Sequence, residues 1–143
     1  MGTGVLELGF QNVQNTGTVN VSGNTLRMGA DGTHNGATFN VDATKFISVK
    51  GGTHSFTGCH FMGNGSLATI GSSIVSTFTG NDFSSNFGLS LQQTSTFALG
   101  QNVDVSSFLI GGTAVLNGIG NLTVGTTSIF GGTIDFATQA NRV

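Results

Sequence analysis

Asp31-Gly32-Thr33, Gly51-Gly52-Thr53, Gly111-Gly112-Thr113 and Gly131-Gly132-Thr133 place one tripeptide on multiples of twenty residues. The two intervening beats carry Gly71-Ser72-Ser73 and Leu91-Gln92-Gln93, so a twenty-residue ruler fits from Asp31 to Thr133 without net slip. A fixed period of this size means one supersecondary unit stacked on copies of itself.

A second set of beats runs through Val19, Phe39, Phe56, Phe78, Phe97, Leu116 and Phe136. Near-copies surround them. Thr18-Val-Asn-Val21 matches Thr38-Phe-Asn-Val41, and Phe56-Thr-Gly-Cys-His-Phe-Met-Gly-Asn64 matches Phe78-Thr-Gly-Asn-Asp-Phe-Ser-Ser-Asn86. Within each row apolar residues alternate, as in Leu26 and Met28, Phe87, Leu89 and Leu91, or Val103 and Val105. Period-two alternation broken by Gly, Asn, Asp and Ser reads as short strands joined by tight turns. No stretch holds a helical period for a full helix length, so no significant helix is expected.

Composition agrees. The 143 residues include 24 Gly and 12 Phe but no Pro, Trp or Tyr, and 7% are charged, against roughly 25% in an average globular protein. The absence of Pro suits ladder strands, which need every N–H. Apolar residues at 37%, placed periodically, argue against a disordered chain. The expected fold is all-β: a single-stranded parallel β-helix, or β-solenoid, of about seven coils with ~20 residues each. One domain covers 1–143, with an N-terminal edge coil over 1–13, regular coils over 14–133 and a partial coil over 134–143. Phe would stack on Phe inside the coils, and Asn on Asn at the turns, Asn20 with Asn40 and Asn81 with Asn121.

These Phe-Thr-Gly-x-x-Phe-x-x-Asn coils resemble those of right-handed parallel β-helix proteins, including pectate-lyase-type enzymes, phage tailspikes and polymorphic outer-membrane proteins. The stretch Asn121-Leu-Thr-Val-Gly-Thr-Thr-Ser-Ile-Phe-Gly-Gly-Thr-Ile134 is similar to coils of filamentous-haemagglutinin adhesins. The resemblance is one of coil geometry, and it implies the fold more firmly than any activity.

The search for chemistry returns little. Net charge is −2 and the four basic residues, Arg27, Lys45, Lys50 and Arg142, are scattered, so neither nucleic-acid binding nor membrane insertion is expected. The lone Cys59 reads as a small buried hydrophobe. Met1-Gly-Thr-Gly-Val-Leu-Glu-Leu8 lacks the basic and apolar regions of a signal peptide; synthesis in the cytoplasm, or removal of a leader or partner domain, is the expectation. Asp42 and Asp82 share a row position two coils apart, with Met62 between them; Asp at a turn explains them better than a glycosidase pair. His34 and His54 are twenty apart and would stack on adjacent coils near Asp31. They are the only metal candidates, weighed against a solvated turn ladder. Thr33, Thr53, Thr113 and Thr133 would form a ladder at the Gly-rich corners, interrupted by Ser73 and Gln93, which makes a poor ice-binding face. No catalytic residue and no cofactor are assigned, and no enzyme activity is expected.

Neighbouring apolar residues are more informative. Successive side chains on a strand point to opposite faces. One member of each group Phe46-Ile47, Ile74-Val75, Phe108-Leu109-Ile110 and Ile129-Phe130 therefore points outward. If these positions recur along the rod they form an apolar stripe, which means a partner. The strand-like start Val5-Leu-Glu-Leu-Gly-Phe10 and the mid-coil end leave open edges that also want covering. The expectation is a non-enzymatic structural homo-oligomer, preferably a trimer, that docks to other structural subunits. It would serve as a virion surface component: capsid decoration or cement, spike or tail fibre. The alternatives are a secreted adhesin or surface filament, extracellular or cell-surface, and a carbohydrate-binding or carbohydrate-active β-helix.

Overall fold

The computed structural model describes residues 6–8, 13–71, 74–99, 101–118 and 120–135. The expected open ends at Val5, Phe10 and 136–143, together with Phe136 and Ser73, lie outside them. The described residues contain strands and turns and no helix, so none is long and apolar enough to cross a membrane.

Three strands recur per turn. The first face is built from β1 (Leu6–Leu8), β4 (Leu26–Met28), β7 (Phe46–Val49), β10 (Ser66–Thr69) and β13 (Gly88–Leu91). The second comprises β2 (Val13–Asn15), β5 (Gly32–Asn35), β8 (Gly52–Thr57), β11 (Ile74–Thr79) and β14 (Thr94–Leu99). The third holds β3 (Thr18–Val21), β6 (Thr38–Val41), β9 (His60–Gly63) and β12 (Asp82–Phe83). The last turns run as two long strands, β15 (Val103–Gly118) and β16 (Leu122–Asp135). β15 crosses the corner between faces, so Ser107 pairs with Gly88 on the first face and Val115 with Thr96 on the second. Neighbouring strands pair in parallel, coil upon coil. The result is a parallel β-solenoid of about six turns, one fewer than the twenty-residue ruler suggests. At about 4.8 Å per turn the rod is on the order of 30 Å long.

The period is not constant. Val13 pairs with Gly32, nineteen residues on, whereas Gly32 pairs with His54 and His54 with Ser76, each twenty-two on. Later turns return to nineteen, as in Val75 with Thr94 and Thr96 with Val115. The expected threonine ladder is therefore broken: Thr33 pairs with Ser55, Thr53 with Val75, and Thr133 with Val115. The Asp42 and Asp82 alignment fails for the same reason. Asp82 pairs with His60, which pairs with Thr38, while Asp42 follows β6 in a turn closed by the Lys45 amide donating to its carbonyl.

Alternation fills the interior. On the second face, inward positions run His34, Phe56, Phe78, Phe97, Leu116; on the third they run Val19, Phe39, Phe61, Phe83. Phe56 and Phe78 stack with centroids 4.7 Å apart and planes 3° from parallel, and Phe61 and Phe83 at 4.9 Å and 9°. Asparagines tie the corners. Asn40 Nδ2 donates to Asn20 Oδ1 at 2.8 Å, as the near-copies imply. Asn81 is buried, accepting from the Cys59 amide at 2.8 Å and donating to the Phe56 carbonyl at 3.1 Å. Asn121 meets Asn102, whose Oδ1 accepts from its amide. Gly63 shows why glycine is required at one corner: its φ is +97°, and a β-carbon there would sit 2.3 Å from the Val41 carbonyl oxygen.

Candidate functional site

The two faces that carry candidate chemistry differ in solvent access. Inside the rod, His34 on β5 and His54 on β8 are each 1% exposed, so the expected solvated turn ladder is overturned. Both residues lie in strands and not in turns, at buried positions of alternating strands. His54 faces Gly32 and His34 faces Phe56 across the strand pair, which puts both imidazoles on inward positions. They still approach each other from neighbouring columns, with ring centroids 5.8 Å apart and planes 4° from parallel. His34 lies flat on Phe56 at 4.5 Å and edge-on to Phe39 at 5.6 Å.

Polar satisfaction of this pair is incomplete. His54 Nε2 lies 3.0 Å from the Gly51 carbonyl oxygen, an acceptor, which places the proton on Nε2. His34 Nδ1, His34 Nε2 and His54 Nδ1 are buried without a hydrogen-bond partner. Burial pushes the His34 pKa down to about 4, helped by the neighbouring His54. Burial also lowers His54, opposed by the carbonyl of Gly51 and the carboxylate of Asp31. Both rings are therefore neutral near pH 7. Cys59, buried as expected, donates its S–H to the His34 carbonyl at 3.3 Å, and burial raises its pKa.

Outside, His60 on β9 faces Asp82 on β12, with Nδ1 and Oδ2 2.9 Å apart and both side chains half exposed. Gln101 Nε2 also donates to Asp82. This surface triplet crosses three coils. The match of Phe56–Asn64 with Phe78–Asn86 superposes His60 on Asp82, so this pairing is written in the near-copies. Among the described residues no three His, Cys, Asp or Glu side chains are grouped to hold a metal ion.

The expected self-association residues divide cleanly. Ile47, Ile74, Phe108 and Ile110 point inward and are buried, whereas Phe46 is 38% and Val75 47% exposed, and Leu109 is half-buried. Ile129 and Phe130 lie in β16, where their backbones pair with Ile110 and Gly111; their side chains lie outside the described residues. The outward members do not share one column. Val75 stands among Thr53 and Thr94 on the second face. Phe46 and Leu109 both belong to the first face, in adjacent outward columns, with Ser66, Gly88 and Ser107 in register beyond Phe46. Two adjoining shallow depressions of about 280 and 270 Å³ share Ser66, Gly88 and Ser107 as their floor. Phe46 borders the first and Leu109 the second.

No family model, curated protein or solved structure matches this chain.

Proposed function

We propose that this chain is a non-enzymatic structural rod that associates with copies of itself, a trimer being the preferred form, and stands as a surface component of a virion. The rod is rigid for a physical reason. Its interior is a run of stacked rings held by continuous parallel ladders, and each coil is tied to the next by main-chain bonds and by Asn side chains.

The observation that carries self-association is the first-face groove. Its floor of Ser66, Gly88 and Ser107 is nearly free of side-chain bulk, and apolar Phe46 and Leu109 border it. Small residues let a second backbone approach closely, and Phe46 and Leu109 beside them supply apolar surface for it to bury. A second copy laid along this flank covers Phe46 and Leu109 together.

Mass measurement in solution, with and without heat and SDS, tests the reading. A heat-resistant oligomer that Phe46→Ser weakens supports it. A clean monomer at tens of micromolar overturns it.

A further inference from the structure

The pairing that breaks the threonine ladder at the corners lays down a different one on the flat of the second face. Outward positions there alternate with the buried rings, and three columns of them run side by side. The middle column is Thr33, Ser55, Thr77, Thr96, Val115 and Thr133. On one side of it stand Thr53, Val75 and Thr94, with the Thr113 hydroxyl 3.4 Å from that of Thr94. On the other stand Asn35, Thr57, Thr79, Ala98 and Asn117. All are exposed or half-buried, and none is charged.

Strand propensity does not account for this. Threonine suits any half-exposed strand, yet the outward positions of β7, β10 and β13 hold Phe46, Ser48, Ser66, Ala68, Gly88 and Ser90. Those of β9 and β12 hold His60, Met62 and Asp82. Threonine gathers on one face only. Val75 and Val115 keep the outline of threonine with a methyl for the hydroxyl, which gives the 47% exposed Val75 a place in the pattern. The face is also flat. Beneath it Phe56 and Phe78 lie 3° from parallel, so these rungs stack with little rotation. A β-branched side chain is stiff at χ1, so the backbone fixes where each hydroxyl and methyl stands.

The spacing of this array selects a ligand. Rungs of a parallel sheet are about 4.8 Å apart, and alternate residues along a strand about 6.6 Å. Water oxygens joined tetrahedrally by hydrogen bonds of about 2.75 Å have second neighbours about 4.5 Å apart, and hexagonal ice repeats about every 7.3 Å along its axis. The rung mismatch of about 0.3 Å sums to about 1 Å from Thr33 to Thr96, less than half a water–water hydrogen bond. The mismatch along the strand, about 0.7 Å, is met only between three columns. Each hydroxyl donates one hydrogen bond and accepts others, as a lattice water does.

From this geometry we infer that the threonine face built on β5, β8, β11, β14 and β15 binds ice, its hydroxyls and methyls holding water in the arrangement of a crystal surface. A repeating lattice asks for a flat, uncharged, periodic surface and not for a cavity. The face is distinct from the first-face groove, and the inference does not rest on self-association.

The test grows ice slowly in a solution of the full chain and measures its partition into the crystal, together with the gap between melting and freezing points. The expected result is enrichment in the ice and a measurable gap. Thr77→Tyr and Thr96→Tyr, at the centre of the array, should lose both while keeping the circular dichroism of the parent. Phe46→Ser, on the first face, should keep both. A wild-type chain that is excluded from ice and shows no gap overturns the inference. So do folded tyrosine variants with an undiminished gap, or a Phe46→Ser variant that loses it as fully as they do. Binding to crystalline cellulose or chitin without any gap gives the face to a polysaccharide and overturns it as well. Should a tyrosine variant fail to fold, Thr79→Lys in the outer column takes its place, and an unchanged gap there counts equally against the inference.

Discussion

Lowering the pH of the protein from 7 to 4 should destabilise the fold through His34. In the folded chain this imidazole titrates at about 4 because burial and the neighbouring His54 disfavour its charged form, whereas in the unfolded chain it titrates near the ordinary value of about 6.5. Below that value the unfolded state takes up a proton that the folded state refuses. Stability is therefore full above about pH 6.5, falls as the pH drops through the interval, and levels off once the folded state also protonates. The separation of the two pKa values corresponds to about 3 kcal/mol, and His54 adds in the same direction. Carboxylates also contribute to acid unfolding, so the measurement is a difference. Urea unfolding of wild type and His34→Phe is followed by circular dichroism at pH 7, 6, 5 and 4. Phenylalanine continues the column of Phe56 and Phe78, stacks on the same ring, and has no nitrogen to leave unpaired. The stability advantage of His34→Phe should grow by about 3 kcal/mol between pH 7 and 4. An advantage constant within about 0.5 kcal/mol over that range refutes the account of a neutral, desolvated His34.

Four further outcomes follow from the packing. Gly63→Ala should cost at least about 2 kcal/mol in a thermal melt, since it combines a left-handed φ with a contact against the Val41 carbonyl. Asn81→Ala should cost about 2–3 kcal/mol by denaturant titration, because it orphans both the buried Cys59 amide and the Phe56 carbonyl. Thr44 is exposed with φ +66°, so Thr44→Gly should gain about 1 kcal/mol by relieving a strained β-branched residue. Phe46→Ser should leave monomer stability within about 0.5 kcal/mol while lowering the association constant seen by analytical ultracentrifugation.

The fold was legible because ladder geometry writes itself into sequence as local copies. Thr18–Val21 against Thr38–Val41, and Phe56–Asn64 against Phe78–Asn86, each give the true offset, and the paired strands reproduce both. The Gly-Thr ruler was less faithful. Offsets of nineteen and twenty-two average near twenty, so a regular beat survives while the residues on it belong to different columns. The aromatic beat has the same flaw, since Phe39 stands on the third face and Phe56 on the second, where they meet edge-on at 6.2 Å. The histidines were misplaced because Asp31-Gly32-Thr33-His34 has the composition of a turn. Nothing in hydropathy announces that a polar ring will occupy a position its neighbouring coils give to Phe. Which member of Phe46-Ile47 or Ile74-Val75 faces out was likewise undetermined, because both are apolar and only the strand register decides.

The unequal turns have a consequence for how the chain finds its own register. Parallel coils of similar sequence face a combinatorial hazard: a segment such as Phe78–Asn86 offers nearly the same edge as Phe56–Asn64, and a strand that docks one turn too far would still find Phe for Phe. If every turn were the same length, such an error would propagate without penalty. Here the offset is nineteen from Val13 to Gly32, twenty-two for the next two steps and nineteen again from Val75. A coil that slips by one place meets a partner whose corner is several residues too long or too short, and its later strands fall out of phase with their faces. The irregular spacing acts as a vernier: a slip that carries a strand across a change of turn length sets the following strands out of phase with their faces.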